Sequence, residues 1–108
     1  MKLSREPFEK ISSGHKIIES RLYDKKRQKI NIDDQITFAC NNDTSKKIIT
    51  RVRALYRYSS FEELFSDFSP KYFGGKSKVS LIEEINKFYS KKEQKKCGVI
   101  GIRIALVK

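Results

Sequence analysis

The chain has 108 residues, which fits one domain with a modest core and excludes two. Hydrophobic residues make up 38% of it and charged residues 34%, and seven Phe with five Tyr exclude a disordered chain, which is poor in aromatics. Twenty-four Lys and Arg against thirteen Asp and Glu leave a formal net charge of +11. Such a field draws polyanions, chiefly RNA, DNA or acidic membrane surfaces, unless the charge serves solubility alone.

Cys40 and Cys97 are the only cysteines and His15 the only histidine. A structural zinc site takes about four ligands in close pairs, so no metal or cofactor site is expected. Residues 1–20 hold no apolar core of signal-peptide length, and no segment could span a bilayer. The expectation is a cytoplasmic protein with both thiols free and no membrane partner, taken as a monomer.

In chain order, Met1–Ser4 suits a short strand. Pro7 then fits the first turn of a helix with Phe8 and Ile11 on one face, ended at Gly14. Lys16–Tyr23 reads as a strand with Ile18, Ser20 and Leu22 on one side and Ile17, Glu19, Arg21 and Tyr23 on the other. Asp24–Lys29 is a charged connector. Gln35–Cys40 is a clear strand, Asn41–Ser45 is dense in turn formers, and Lys46–Tyr58 returns as a long strand, predicting a hairpin.

Ser60 and Glu63 form a capping-box pattern that opens a helix through about Phe68. Ser69–Lys78 carries Pro70, Gly74 and Gly75 and reads as a loop. Ser80 and Glu83 repeat the box before a helix with Leu81, Ile82, Ile85, Phe88 and Tyr89 at helical spacing. Ser90 and Glu93 open a last charged turn, ended by Gly98. Val99–Val107 is the final strand, with Ile100, Ile102, Ile104 and Leu106 on one face. Strands around short helices, with hairpin and long connections mixed, predict a small α+β barrel.

The most informative segment is Gly14-His15-Lys16-Ile17-Ile18-Glu19-Ser20-Arg21, a G-x-K-x-x-E-x-R pattern where a helix gives way to a strand. Glu19 and Arg21, two apart on a strand, point to one face, and Lys16 enters from the turn before them. A carboxylate between two cations belongs either to a solvated surface or to the wall of a polar pocket.

This octet, behind the PFEKI helix, resembles the ASCH family, named for homology to a transcription coactivator and here of a small stand-alone type. The resemblance runs end to end. It takes in RLYDKKRQKI after the octet, the DQITF strand where the family favours Gly-Asp, the SFEEL helix, and a Y-S-x-x-E-x-x-x-x-G-V-x-G-I run over Tyr89–Ile102. It implies a PUA-like β-barrel of about five to six strands, with a cleft beside the barrel that takes RNA or a nucleotide and is faced by Lys16, Glu19 and Arg21.

One branch of the family hydrolyses N-acetylated cytidine to acetate and cytidine. Its catalytic set is a Lys at the position of Lys16, a Thr at that of Glu19, and a Glu before the last long helix. Here Lys16 is present and Glu19 replaces the Thr. The third position falls near Gly74, with no nearby acid upstream until Asp67. Amide hydrolysis needs an activated nucleophile, a base and oxyanion stabilisation, which leaves Lys16 and Glu19 as the catalytic candidates. Glu19 has three possible roles: activating water, accepting hydrogen bonds from a base edge, or holding Lys16 charged. Binding without chemistry is the leading reading; hydrolysis of an acylated nucleoside or RNA, and a protein-interaction module, are the alternatives.

Further basic residues extend the candidate RNA-binding set. Arg51, Arg53 and Arg57 fall on one face of the long strand by alternation, either as a phosphate-pairing row or as an edge kept soluble by charge. Lys25, Lys26, Arg27 and Lys29 follow the octet strand, and Tyr23 stands ahead of them where it could stack on a base. Tyr72 and Phe73 sit on the Gly-rich loop, either over the cleft or tethering the loop to the core.

Overall fold

Residues 1–107 are described by a computed structural model of the chain. They form strands β1 (Lys2–Leu3), β2 (Ile18–Leu22), β3 (Gln35–Cys40), β4 (Lys47–Tyr58) and β5 (Val99–Leu106). The helices are α1 (Arg5–Ser12), α2 (Phe61–Asp67), α3 (Lys78–Asn86) and α4 (Lys91–Cys97), with 3-10 turns at Arg27–Lys29 and Pro70–Phe73. Strand order is β1-β3-β4-β5-β2, with β1 parallel to β3 and the other pairs antiparallel. The sheet curls into a half-barrel, the α+β architecture of a small PUA-like barrel.

Alternation along the strands sorts side chains to two faces. Inside the curl, Ile36 and Phe38 of β3, Val52 of β4, and Ile100, Ile102 and Ile104 of β5 pack with Leu3 and with Phe8 and Ile11 of α1. On the other face, Ile18 and Leu22 of β2 and Val99 of β5 pack with Phe61, Leu64 and Phe65 of α2 and with Phe73. Gly101 permits that second contact, because a Cβ there would lie 2.9 Å from Leu64 Cδ1. Thr50, fully buried among apolar residues, satisfies its hydroxyl by donating to Ile36 O at 2.9 Å. No helix among the described residues is long and apolar enough to cross a membrane.

Several expectations shift. β2 begins at Ile18, not Lys16, because the two preceding amides are already committed: Lys16 N donates to Lys10 O and Ile17 N to Tyr72 O. Within Ser69–Lys78, Pro70–Phe73 is a 3-10 turn and Lys78 already belongs to α3. The cap of α3 is Ser77 rather than Ser80: each serine's backbone amide bonds the other's hydroxyl, so Ser80 plays the part expected of Glu83. Helix α3 ends at Asn86, which leaves Phe88 and Tyr89 beyond it.

Arg51, Arg53 and Arg57 do not share a face. The β4–β5 register jumps between Val52 and Ala54, so Arg53 is the extra residue of a β-bulge and alternation reverses across it. Arg51 then lies opposite Ala105 on one face, and Arg57 opposite Ile100 on the other.

Phe38 and Ile102 are both 0% exposed. Truncating either to Ala is expected to lower unfolding free energy by about 2–5 kcal/mol, measured by chemical denaturation. A loss well under about 1 kcal/mol would mean that the inner face of the curl does not hold the fold.

Candidate functional site: a buried ion triad at the floor of a cleft

The site begins at the end of α1. Gly14 takes φ 83°, a left-handed conformation natural to glycine, and reverses the chain so that His15 N and Lys16 N both donate to Lys10 O. Lys16 is thereby set one turn ahead of the β2 edge. Glu19 and Arg21 pair with Ile102 and Ile100 of β5, which puts both side chains on the inner face of the curl.

The three side chains form one cluster. Lys16 Nζ donates to Glu19 Oε1 at 2.7 Å. Arg21 donates to Glu19 Oε2 from Nε at 2.9 Å, with Nη2 at 2.8 Å from the same oxygen. Ser20 N lies 3.3 Å from Oε1. Glu19 is only 3% exposed, yet both of its oxygens are occupied. Burial alone would push its carboxyl up; the charges of Lys16 and Arg21 and their hydrogen bonds outweigh that and hold it below its ordinary value. Burial would likewise lower the Arg21 guanidinium, and the Glu19 charge reverses this and raises it.

Arg21 does a second thing. Its Nη2 donates to Lys2 O at 3.1 Å, linking β2 to β1, the two outer strands of the sheet. The triad therefore ties the edges of the half-barrel together across a gap that no strand ladder spans.

Above the triad lies a cleft of about 500 Å³. Lys2, Lys10, Lys16 and Arg21 line one wall, from β1, α1 and β2. The other wall comes from α3 and its exit, with Leu81, Ile85, Phe88 and Tyr89, backed by Phe65 and Phe73. Gly74 and Gly75 form one end. Gly74 is the left-handed residue that closes the 3-10 turn, with φ 79°, and its carbonyl accepts from Lys10 Nζ at 2.6 Å. A Cβ on Gly74 would meet Lys10 Cδ at 3.1 Å and Lys16 Cβ at 3.3 Å, so this position touches the lysine of the octet.

Of the residues picked from the sequence, Lys16, Glu19 and Arg21 come together at the cleft, where Phe73 and Gly74 join them, and Tyr23, Lys25, Lys26, Arg27, Arg51 and Arg53 do not line it. Tyr23 lies under Arg57, whose guanidinium carbon is 4.1 Å from the ring centroid. Arg27 pairs with Asp24 at 3.0 Å and closes a turn. Lys25 and Lys26 are exposed. Arg51 donates to Asp33 O at 2.8 Å. Arg53 lines a separate cavity of about 280 Å³, which meets the cleft at Lys16. Asp67 accepts from Tyr58 OH and takes no part in the cleft lining. Phe73 is buried in the core and also backs the cleft.

Lys10, Phe88 and Tyr89 were not among the residues the sequence singled out for the site. The one signal, for Phe88 and Tyr89, was their place in the apolar stripe of the helix predicted after Ser80. Among the described residues, no three His, Cys, Asp or Glu side chains converge in a way that could hold a metal ion.

A PUA-like half-barrel with this octet on the wall of its cleft defines a small class of proteins. The ASCH domain model matches residues 1–108, and the chain belongs to the ASCH domain family. It is similar to the hypothetical protein PH0355 from Pyrococcus, 30% identical with a TM-score of 0.80, over 99% of this chain and 100% of that one. It is also similar to protein PF0455 from Pyrococcus furiosus, 31% identical with a TM-score of 0.73, over 100% of this chain and 99% of that one. No curated protein matches it.

Glu19→Gln keeps the side-chain shape but strands two cations in a buried site, and is expected to cost on the order of 3 kcal/mol at neutral pH. The folded-state carboxyl titrates below the ordinary value of 4.5. Its stabilisation is therefore complete above about pH 4.5 and is lost as pH falls through the lowered folded-state value. Denaturation curves of wild type and Glu19→Gln should differ most above pH 4.5 and converge in acid; a gap that does not change with pH would contradict the charge role.

Proposed function

We propose that this ASCH domain binds RNA or a nucleotide in the cleft and catalyses no reaction there. The observation that carries the reading is the state of Glu19. With Oε1 taken by Lys16 and Oε2 by Arg21, it has no free approach for a base edge and is not poised as a proton acceptor. It acts as the counter-ion that fixes two cations in the cleft wall. Hydrogen-bonding groups of Lys16 and Arg21 beyond those used on Glu19, Lys2 and Tyr89 remain for a phosphate, and Lys2 and Lys10 extend the same wall.

The hydrolytic alternative lacks its parts. The position that would carry the third catalytic residue falls near Gly74, which abuts Lys16, and no acid stands close upstream of it before Asp67, which does not line the cleft. The other carboxylates lining the cleft are Glu6 and Glu84; they are exposed, and each is paired with a lysine, Lys10 and Lys87. Incubation with N-acetylated cytidine is expected to release no acetate, and robust release would overturn the binding-only reading.

Binding is tested by titrating labelled single-stranded RNA at several salt concentrations. Affinity is expected to fall with a log–log slope of about −0.7 per phosphate contacted. Location is tested by two charge reversals of equal net charge. Lys2→Glu with Lys76→Glu, at the cleft, is expected to weaken binding by roughly tenfold or more. Lys91→Glu with Lys92→Glu, on α4, should cost much less. Equal losses would mean that overall charge, not the cleft, attracts RNA, and no binding at low salt would favour a protein-interaction role.

A further inference from the structure

Helix α3 has an apolar stripe at helical spacing, yet none of its residues is buried. Leu81 and Ile85 are half-covered, and Phe88, one turn further on, is 66% exposed. All three line the cleft. A stripe of this kind normally packs into a core, and Leu81 and Ile85 do pack partly against the core on the α2 side; Phe88 carries the stripe out of that packing and into the cleft lining. Exposed single hydrophobic residues are ordinary, but this one lines the same cleft as Lys16 and Arg21.

The two walls differ in what they can hold. The cationic wall takes an anion and offers nothing to a flat apolar ring. The α3 wall takes a ring and, with Glu84 on it, offers little to a phosphate. A ligand that satisfies both carries a negative group and an aromatic face together, which is the construction of a nucleotide with its base unstacked. A base still paired in a duplex hides both faces in the stack and cannot present one to a side chain at a cleft rim.

We infer that Phe88 is a stacking platform for one unpaired nucleobase, so that the cleft selects single-stranded nucleic acid or a free nucleotide over a duplex. The inference rests on the binding reading above, and the test keeps the two apart. The chain contains no Trp, so Phe88→Trp introduces the sole indole at the rim. Val79→Trp is the control, because Val79 is 65% exposed on α3 and does not line the cleft.

Both variants are titrated with a short single-stranded RNA, a blunt RNA duplex of equal charge, and inorganic polyphosphate, which has no bases. Binding is followed independently by competition against labelled RNA. The expected result is quenching of Phe88→Trp by the single strand alone, saturating at the Kd from competition, with Val79→Trp unchanged. Phe88→Ala should then bind the single strand roughly tenfold more weakly, the size of one lost base–aromatic stack, and polyphosphate as well as wild type does. Single-stranded RNA that binds without changing Phe88→Trp fluorescence, or polyphosphate that quenches it equally, overturns the stacking role and leaves cleft binding standing. Failure of all three probes to bind overturns both.

Discussion

The structure depends on one buried carboxylate. Taking an unpaired carboxylate out of water costs several kcal/mol, and Glu19 is almost wholly enclosed. It is tolerable there only because Lys16 and Arg21 each occupy one of its oxygens. A well-packed apolar cluster of the same volume would hold the fold as well or better. What the ion triad adds is position. It fixes two cations in the wall of a cleft, and through the Arg21 bond to Lys2 O it joins the outer strands of an incompletely closed sheet. Fold and candidate site thus rest on the same three side chains.

That dual use explains why the cleft lies where it does. β1 is only two residues long, and the sheet curls without a ladder between β1 and β2. The space beside that seam is left for α1 on one side and α3 on the other. Two lysines complete the frame: Lys16 on Glu19, and Lys10 on the carbonyl of Gly74. The second bond fastens the glycine turn to the α1 helix that leads into the octet. The result is a cleft with a charged wall held by ion pairs and an apolar wall held by helix packing.

Much of this was legible in the sequence where the controlling interactions are local. Period-two alternation placed β3 and β5, and it put Glu19 and Arg21 on one face. Gly14 announced the turn that delivers Lys16. What escaped depends on contacts between distant segments. Nothing in Val52-Arg53-Ala54 signals a bulge, so alternation alone put Arg51 and Arg57 on one face when they lie on opposite ones. Spacing marked Leu81, Ile85 and Phe88 as an apolar stripe, but whether it meets a core or a cavity is decided by how α3 lies against the sheet edge. A serine three residues after a serine can complete a capping box as a glutamate does, and that moved the start of α3 back to Ser77.

The central claim, that the ion triad and the α3 wall together form a nucleotide-binding cleft, is tested most directly by backbone amide chemical shifts during titration with a short single-stranded RNA. The expected perturbations concentrate at residues 14–21, at Gly74 and Gly75, and at residues 81–89, and leave the outer strand surface around Thr37 and Ile49 unmoved. Perturbations centred instead on the Lys25–Lys29 connector and Arg51, or spread evenly over every exposed lysine, would contradict it.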